Sequence, residues 1–396
     1  MRVEGEGLVV AAVVPGLAAA RAGVTVGDRI THADGSPVPD TASLGPWRAG
    51  VTVRLTVVRD GRAVDLSVVP GPRPWETHPD AEVVYGTVED GGVRLRSIAA
   101  RPRGAARCPC VVYLQGYDCA SVERGGEETD PLRALVRALL VSGVGVYRLE
   151  KQGVGDSEGG PAEDVSLATE QAHFAAGLAA AAALPWVSSV VVFGHSLGGL
   201  HAPVLAARGG VDGVVVYGAG VRTWTEYLDA NVRHQLALAG ADPAAVETAV
   251  RGQQVLSAEM LVGARGLPEV LARHPALRGI AALGITSETR VLGRHHGYWQ
   301  AVYAAPCVAP LRDLPVALLA AWGEADWLSY RTEHEEIAAV VDRYHPGHGR
   351  FAVVEGTDHW FLRHPTQAAS FAARGTGEFN QRLADVLVAW IGTLQV

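Results

Sequence analysis

Long apolar runs are missing from this chain of 396 residues. The stretch that comes nearest, Ala175–Leu184, is short and broken by Gly177, well under the roughly 20 apolar residues a membrane-spanning helix needs. The first ten residues lack a charged lead, a long apolar segment and a small-residue cleavage site, so no signal peptide is expected. Cysteine is scarce. The four are Cys108, Cys110, Cys119 and Cys307, and the Cys108-Pro109-Cys110 spacing is wrong for a zinc or redox CxxC pair. Buried free thiols in a reducing compartment are expected, and with them a soluble, cytoplasmic protein. Basic blocks are missing too. With 42 carboxylates against 34 Lys and Arg, neither nucleic acid nor an anionic membrane is an expected partner. The pairs His295-His296 and His345/His348 have no third or fourth ligand at metal spacing, so no metal is expected. Gly153-Val154-Gly155 lacks the full GxGxxG run and a following acidic partner, so no dinucleotide, and no cofactor of any kind, is expected.

What is present is sharper. An apolar run, Val190–Phe193, leads into Gly194-His195-Ser196-Leu197-Gly198 and then a helix of small residues from about Gly199. Strand, G-x-S-x-G, helix is the context of a nucleophile elbow. A serine on so sharp a turn brings backbone segments together, and only glycine leaves room on either side. The turn lifts the Ser196 hydroxyl off the sheet edge and sets the Leu197 N–H at a helix N-terminus, where developing negative charge is favoured. A Gly-rich turn with an incidental serine is the bland alternative.

The length suits two domains. Residues 1–72 show short apolar segments, a short helix ended by Gly23, and a hairpin of Val51–Val58 and Val64–Val69 around Arg59-Asp60-Gly61. With the pairs Pro15-Gly16 and Ala22-Gly23, then Gly27-Asp28-Arg29-Ile30, then Asp34-Gly35 before Val38, this segment resembles a PDZ domain of the permuted bacterial type. The resemblance implies capture of a peptide C-terminus by β-augmentation, with the loop around Gly5–Leu8 as the carboxylate cradle. A purely structural role is the alternative, and little chain precedes the loop, so a short or missing first strand is expected. Residues 73–80 read as a linker continuing the proline-rich stretch Pro70–Pro74.

From residue 81 to 396 a hairpin, Glu82–Val88 with Val93–Ala99, leads into alternating strands and helices, the pattern of a mostly parallel sheet flanked by helices. Residues 222–306 carry helical pattern without a clear strand and read as a helical cap. Gln115-Gly116-Tyr117 follows the third strand. Arg148-Leu149-Glu150-Lys151-Gln152-Gly153-Val154-Gly155-Asp156-Ser157-Glu158-Gly159 forms a second motif. Gly323-Glu324-Ala325-Asp326 and Asp358-His359-Trp360-Phe361 follow later strands. With the elbow, these resemble the α/β-hydrolase superfamily, with Gln115 where the family has His and Glu150 where it has Asp. The order Ser, acid, His is that fold's order.

The resemblance implies Ser196 as nucleophile, His359 as base and Asp326 as the residue that orients the base. Glu324 and Asp358 are competing acids. The N–H groups of Tyr117 and Leu197 are the oxyanion-hole candidates, each worth about 3 kcal/mol; the Tyr117 phenol is alternatively a pocket group. His195 and Cys119 read as packing residues. In the cap, Trp224, Tyr227, Tyr298 and Trp299 are candidate substrate-binding residues, with cap–core packing as the bland reading. The expected activity is hydrolysis of an ester or thioester of an apolar acyl or aromatic small molecule. Acyl transfer or cyclisation from the same acyl-enzyme, a serine peptidase fed by the PDZ-like domain, and a non-catalytic scaffold are the rivals. An oligomer is compatible with the sequence.

Overall fold

The computed structural model describes residues 2–3, 7–10, 13, 16–38, 42–44, 47–71, 75–123 and 130–394. They divide into two compact units, the described residues up to Glu76 and those from Thr77 on.

The first unit is an antiparallel sheet. Its strands run Arg2–Val3, Leu8–Val9, Arg29–Ala33, Val53–Arg59 and Arg62–Val68 across the sheet, with Ser36–Pro37 also paired to Arg29–Ala33. Alternation in Val53–Arg59 sends Val53, Leu55 and Val57 inward, where they meet Leu8, Ile30 and Val68. Among the described residues the first strand spans Arg2–Val3. Residues 5 and 6 of the predicted carboxylate cradle, Gly5–Leu8, lie outside the described residues.

The main sheet of the second unit has eight strands: β1 (Ala81–Asp90), β2 (Val93–Pro102), β3 (Cys108–Leu114), β4 (Gly145–Leu149), β5 (Val187–His195), β6 (Gly213–Tyr217), β7 (Ala317–Gly323) and β8 (Gly349–Val354). They are ordered β8-β7-β6-β5-β3-β4-β2-β1 across the sheet. Only the β1–β2 and β2–β4 pairings are antiparallel. Adjacent residues of the central strands feed opposite layers. Val112, Val192, Val214 and Leu318 pack in one core cluster, while Val111, Val191, Val215 and Leu319 pack in the other. Burial on both faces is why these strands read as continuous apolar runs.

Helices α1 (Pro131–Val141), α2 (Leu167–Ala182) and α3 (Gly198–Ala206) follow β3, β4 and β5. The first is started by Asp130, which caps the Arg133 N–H, and by Pro131 at the first helical position. Between β6 and β7 rises the cap, built on α4 (Trp224–Leu238), α5 (Pro243–Leu256), α6 (Leu267–Arg273) and α7 (His296–Ala304). A capping box between Thr223 and Glu226 starts α4. The cap also contains two features without a clear sequence signal: a π-helical turn, Ser257–Val262, and a two-stranded ribbon, Arg290–Val291 with Arg294–His295. After β7 and β8 come α8 (Arg331–Tyr344), α9 (Gln367–Ala373) and α10 (Arg382–Ile391). Among the described residues no helix is long and apolar enough to cross a membrane.

Candidate active site

The turn at Ser196 is built from β5 and α3. Ser196 adopts φ +55°, a conformation that L side chains rarely tolerate, and its N–H is held by Tyr217 O at 2.8 Å. Glycine is required at 198: a Cβ there would lie 2.1 Å from the Leu114 carbonyl oxygen of β3. The side chain of Ser196 is half-buried and lines a cavity of about 620 Å³ beneath the cap.

His359 follows β8 and lines the same cavity. Its Nδ1 lies 2.8 Å from Asp326 Oδ2, and Asp326 is fully buried. Asp326 is fixed in turn by the N–H groups of Leu328 and Ser329 and by the Ser329 hydroxyl, at 2.7, 3.1 and 2.6 Å. With Nδ1–H donating to the carboxylate, Nε2 is left as the basic nitrogen. Gly218, at φ +64° after β6, leaves space for the ring; a Cβ there would come within 2.8 Å of His359 Cε1.

Burial alone lowers the His359 pKa, but the charge and hydrogen bond of Asp326 reverse this and leave it above the ordinary value. Burial opposes ionisation of Asp326, and His359 outweighs it, holding the carboxyl below the usual range. The two competing acids do other work. Glu324 is exposed and receives the Gly356 N–H at 3.0 Å. Asp358 receives the Trp360 and Leu362 N–H groups and the Ser370 hydroxyl, each at 2.9 Å, closing its own turn.

His195 braces His359 from behind. Its Nε2 lies 2.8 Å from the His359 carbonyl oxygen and its Nδ1 3.0 Å from the Tyr113 hydroxyl. A coherent arrangement has Nε2–H donating to the carbonyl and the phenol donating to Nδ1. Burial first, and then the neighbouring His359, push the His195 pKa down to about 3, so the ring is neutral.

The loop after β3 closes the other side of Ser196. A Cβ on Gly116 would lie 3.0 Å from Ser196 Cβ and 3.3 Å from Oγ. Gln115 shapes this loop by donating to the carbonyls of Asp118 and Ala120 at 3.2 and 3.0 Å. Glu150 holds its continuation through the Ser121 hydroxyl and the Val122 N–H. Among the described residues, the N–H groups of Tyr117 and Leu197 donate to no acceptor.

Three of the four predicted cap residues face the cavity. Tyr227 stacks on Trp224 at 4.8 Å, Trp224 on Trp299 at 5.0 Å, and Tyr117 meets the edge of Trp299 at 5.2 Å, forming one aromatic wall. Tyr298 does not join them. It is fully buried below, its hydroxyl donating to Glu170 Oε1 at 2.8 Å, because a buried phenol needs an acceptor and Glu170 supplies it. A smaller cavity of about 70 Å³ also opens on Ser196; Tyr117, Trp224 and Tyr227 line both.

Sequence reasoning missed the buried polar residues around this site. Asn231, Gln253 and Ser257 sit in the cavity wall, and Lys151, Glu170 and Arg294 form an ionic cluster beneath it. One signal was readable: Glu170 and His173 fall on the same helical stripe as Leu167, Phe174 and Leu178, the buried face of α2.

Strand order and the strained serine between β5 and α3 make the second unit an α/β-hydrolase fold. Residues 1–69 match the family model of the PDZ domain, so the chain has an α/β-hydrolase fold with a PDZ domain at its N-terminus. Among curated proteins it is similar to a probable periplasmic serine endoprotease, DegP-like, of Pseudomonas putida (strain W619). The two are 34% identical over 95 residues, covering 23% of this chain and 19% of that protein's length. Among solved structures it is similar to Est1E from Butyrivibrio proteoclasticus, determined with ferulic acid bound. That likeness has 14% identity and a TM-score of 0.49, over 78% of this chain and 98% of that one. The Pyrococcus furiosus esterase Pf2001 is similar at 12% identity and a TM-score of 0.48, over 82% of this chain and 97% of that one.

Proposed function

We propose that the protein is a serine hydrolase cleaving an ester or thioester of an apolar or aromatic acyl group. The observation that carries this reading is the Asp326–His359 hydrogen bond at the wall of the cavity onto which the strained Ser196 opens. In the first step the Ser196 oxygen bonds to the acyl carbon while His359 Nε2 takes its proton. The resulting oxyanion is met by the Tyr117 and Leu197 N–H groups, and Asp326 stabilises the imidazolium. As the bond to the leaving group breaks, His359 passes the proton to the departing oxygen or sulfur. Water then repeats the sequence on the acyl-enzyme and releases the acid.

The aromatic wall of Tyr117, Trp224, Tyr227 and Trp299 supports an apolar or aromatic acyl group. A fluorophosphonate probe is expected to label the wild-type protein and fail on Ser196→Ala, which also loses turnover of p-nitrophenyl esters. An unlabelled wild type favours a scaffold, and fast cleavage of peptide amides without aryl esters favours a peptidase.

Acyl transfer is a second reading, favoured by the small second cavity at Ser196, which gives an acceptor a compartment apart from the acyl group. Ester product from an added alcohol, formed in preference to acid at low alcohol concentration, would establish it.

A further inference from the structure

The Gly116–Tyr117 peptide carries one of the two N–H groups given to the oxyanion, and its carbonyl is already engaged. Lys151, the only lysine of the sequence, donates from Nζ to Gly116 O at 2.5 Å and to Asp118 O at 2.9 Å. A trans peptide carries its C=O and N–H on opposite edges. An ammonium that holds the Gly116 carbonyl therefore turns the Tyr117 N–H away from itself, while Gly116 stays against Ser196.

We propose that Lys151 is the positioning residue of the oxyanion hole: it locks the Gly116–Tyr117 peptide with the Tyr117 N–H toward the acyl oxygen, and Glu170 ties that lock to the cap. The proposal rests on Ser196 being the nucleophile. Lys151 is 4% exposed, so its charge stays on these carbonyls rather than in water. A charged donor on the carbonyl also polarises the peptide and strengthens its N–H as a donor, which a neutral side chain does less well.

Glu170 on α2 joins the lock to the cap. Its Oε2 meets Lys151 Nζ at 3.1 Å and Arg294 Nη2 at 3.0 Å, and its Oε1 accepts from Tyr298 at 2.8 Å with His201 Nε2 at 3.3 Å. Burial by itself would raise the Glu170 pKa; Lys151, His201 and Arg294 overcome it and keep the carboxyl well below the usual range. Arg294 and Tyr298 belong to the cap, Lys151 and Glu170 to the turns and helix under it. Arg294 lies over the Tyr298 ring at 3.8 Å and reaches Cys119 Sγ at 3.3 Å, on the same loop as Tyr117. Displacing the cap removes two of the groups that hold Glu170, and so loosens Lys151.

The test pairs p-nitrophenyl heptanoate with 1,1,1-trifluorooctan-2-one, which carries the same six-carbon chain and forms a hemiketal oxyanion on the nucleophile. Lys151→Met is expected to lower kcat about 10- to 100-fold with KM held within about threefold. It should weaken the trifluoroketone by a factor close to the loss in kcat/KM, and Lys151→Arg should recover part of both. A Lys151→Met variant that folds and keeps kcat and trifluoroketone affinity overturns the proposal while leaving the hydrolase reading intact. A loss confined to KM overturns it as well.

The second measurement needs no variant. In the wild-type hemiketal complex, Tyr117 N is expected within hydrogen-bond distance of the hemiketal oxygen while Gly116 O remains on Lys151 Nζ. An oxyanion bonded with that carbonyl released, or one that ignores the Tyr117 N–H, overturns the proposal. A wild type that neither turns over nor takes the fluorophosphonate label overturns both readings together.

Discussion

At the scale of single residues, the His359–Asp326 contact sets the pH response. In the proposed reading His359 takes the Ser196 proton and must be neutral to do so, and its pKa lies above the ordinary imidazole value because Asp326 outweighs burial. Turnover (kcat/KM) should rise with pH through that raised pKa and level off above it. The charged groups facing the ring are Asp326 and, more weakly, Asp358 and Asp118; His195 is neutral. Asp326→Asn removes the largest upward pull and leaves burial in place. The acidic limb should move to lower pH, and kcat should fall about 10³- to 10⁴-fold because the ring loses its tautomer control. A pH–rate profile of both proteins checks this, and a variant with an unmoved limb would reassign the acid. The Asp326–His359 pair and the turn at Ser196 were legible because each of these residues sits where a strand ends in a short motif. Lys151 and Arg294 were not, and Glu170 showed only as a polar residue on the buried stripe of α2. A buried charge has no period of its own, and its partners here lie 19 and 124 positions apart along the chain.

At the scale of elements, the junction of β3, β5 and α3 carries the site, and it tolerates no added volume. A Cβ at Gly198 would sit 2.1 Å from Leu114 O and 3.0 Å from Gln115 O, both backbone atoms that the β3 ladder and the following loop hold still. Gly198→Ala is expected to destabilise the protein by about 3 kcal/mol, read as a drop in Tm of roughly 5 °C, and to cut turnover by displacing Ser196. Thermal unfolding beside a p-nitrophenyl ester assay separates this from a harmless change; an unaltered Tm would mean the junction relaxes freely. The sheet itself was readable for the same reason it is rigid. Its central strands are buried on both faces and show as valine-rich runs, as in Val111–Leu114 and Val214–Tyr217. The short ribbon at 290–295, the π-helical turn at 257–262 and α9 left no such trace, since a few residues give too little periodicity to distinguish from loop.

At the scale of the whole molecule, the PDZ unit carries an acid-sensitive ion pair of its own, Asp28 with Arg59. Asp28 is buried, and both its oxygens accept from Arg59, with Nε and Nη2 each at 2.7 Å; the Thr25 N–H adds a bond at 2.8 Å. The Arg59 hydrogen bonds, opposed by burial and helped by Thr25, lower the Asp28 pKa to about 2. The sign follows from linkage: a carboxyl held below its unfolded value near 3.8 stabilises the fold above that value. It loses the contribution as pH falls through about 2. The Arg59 side chain is 34% exposed, so solvent screening trims the contribution to about 1 kcal/mol. Hydrogen exchange of the full chain, corrected for intrinsic rates, should show the strands Val53–Arg59 and Arg62–Val68 less protected in Asp28→Asn than in wild type at pH 7. That difference should shrink below pH 4 and nearly vanish near pH 2, while the strands around Ser196 exchange alike in both proteins. A difference that persists unchanged at pH 2 would mean that the Asp28 side chain contributes by shape rather than by charge.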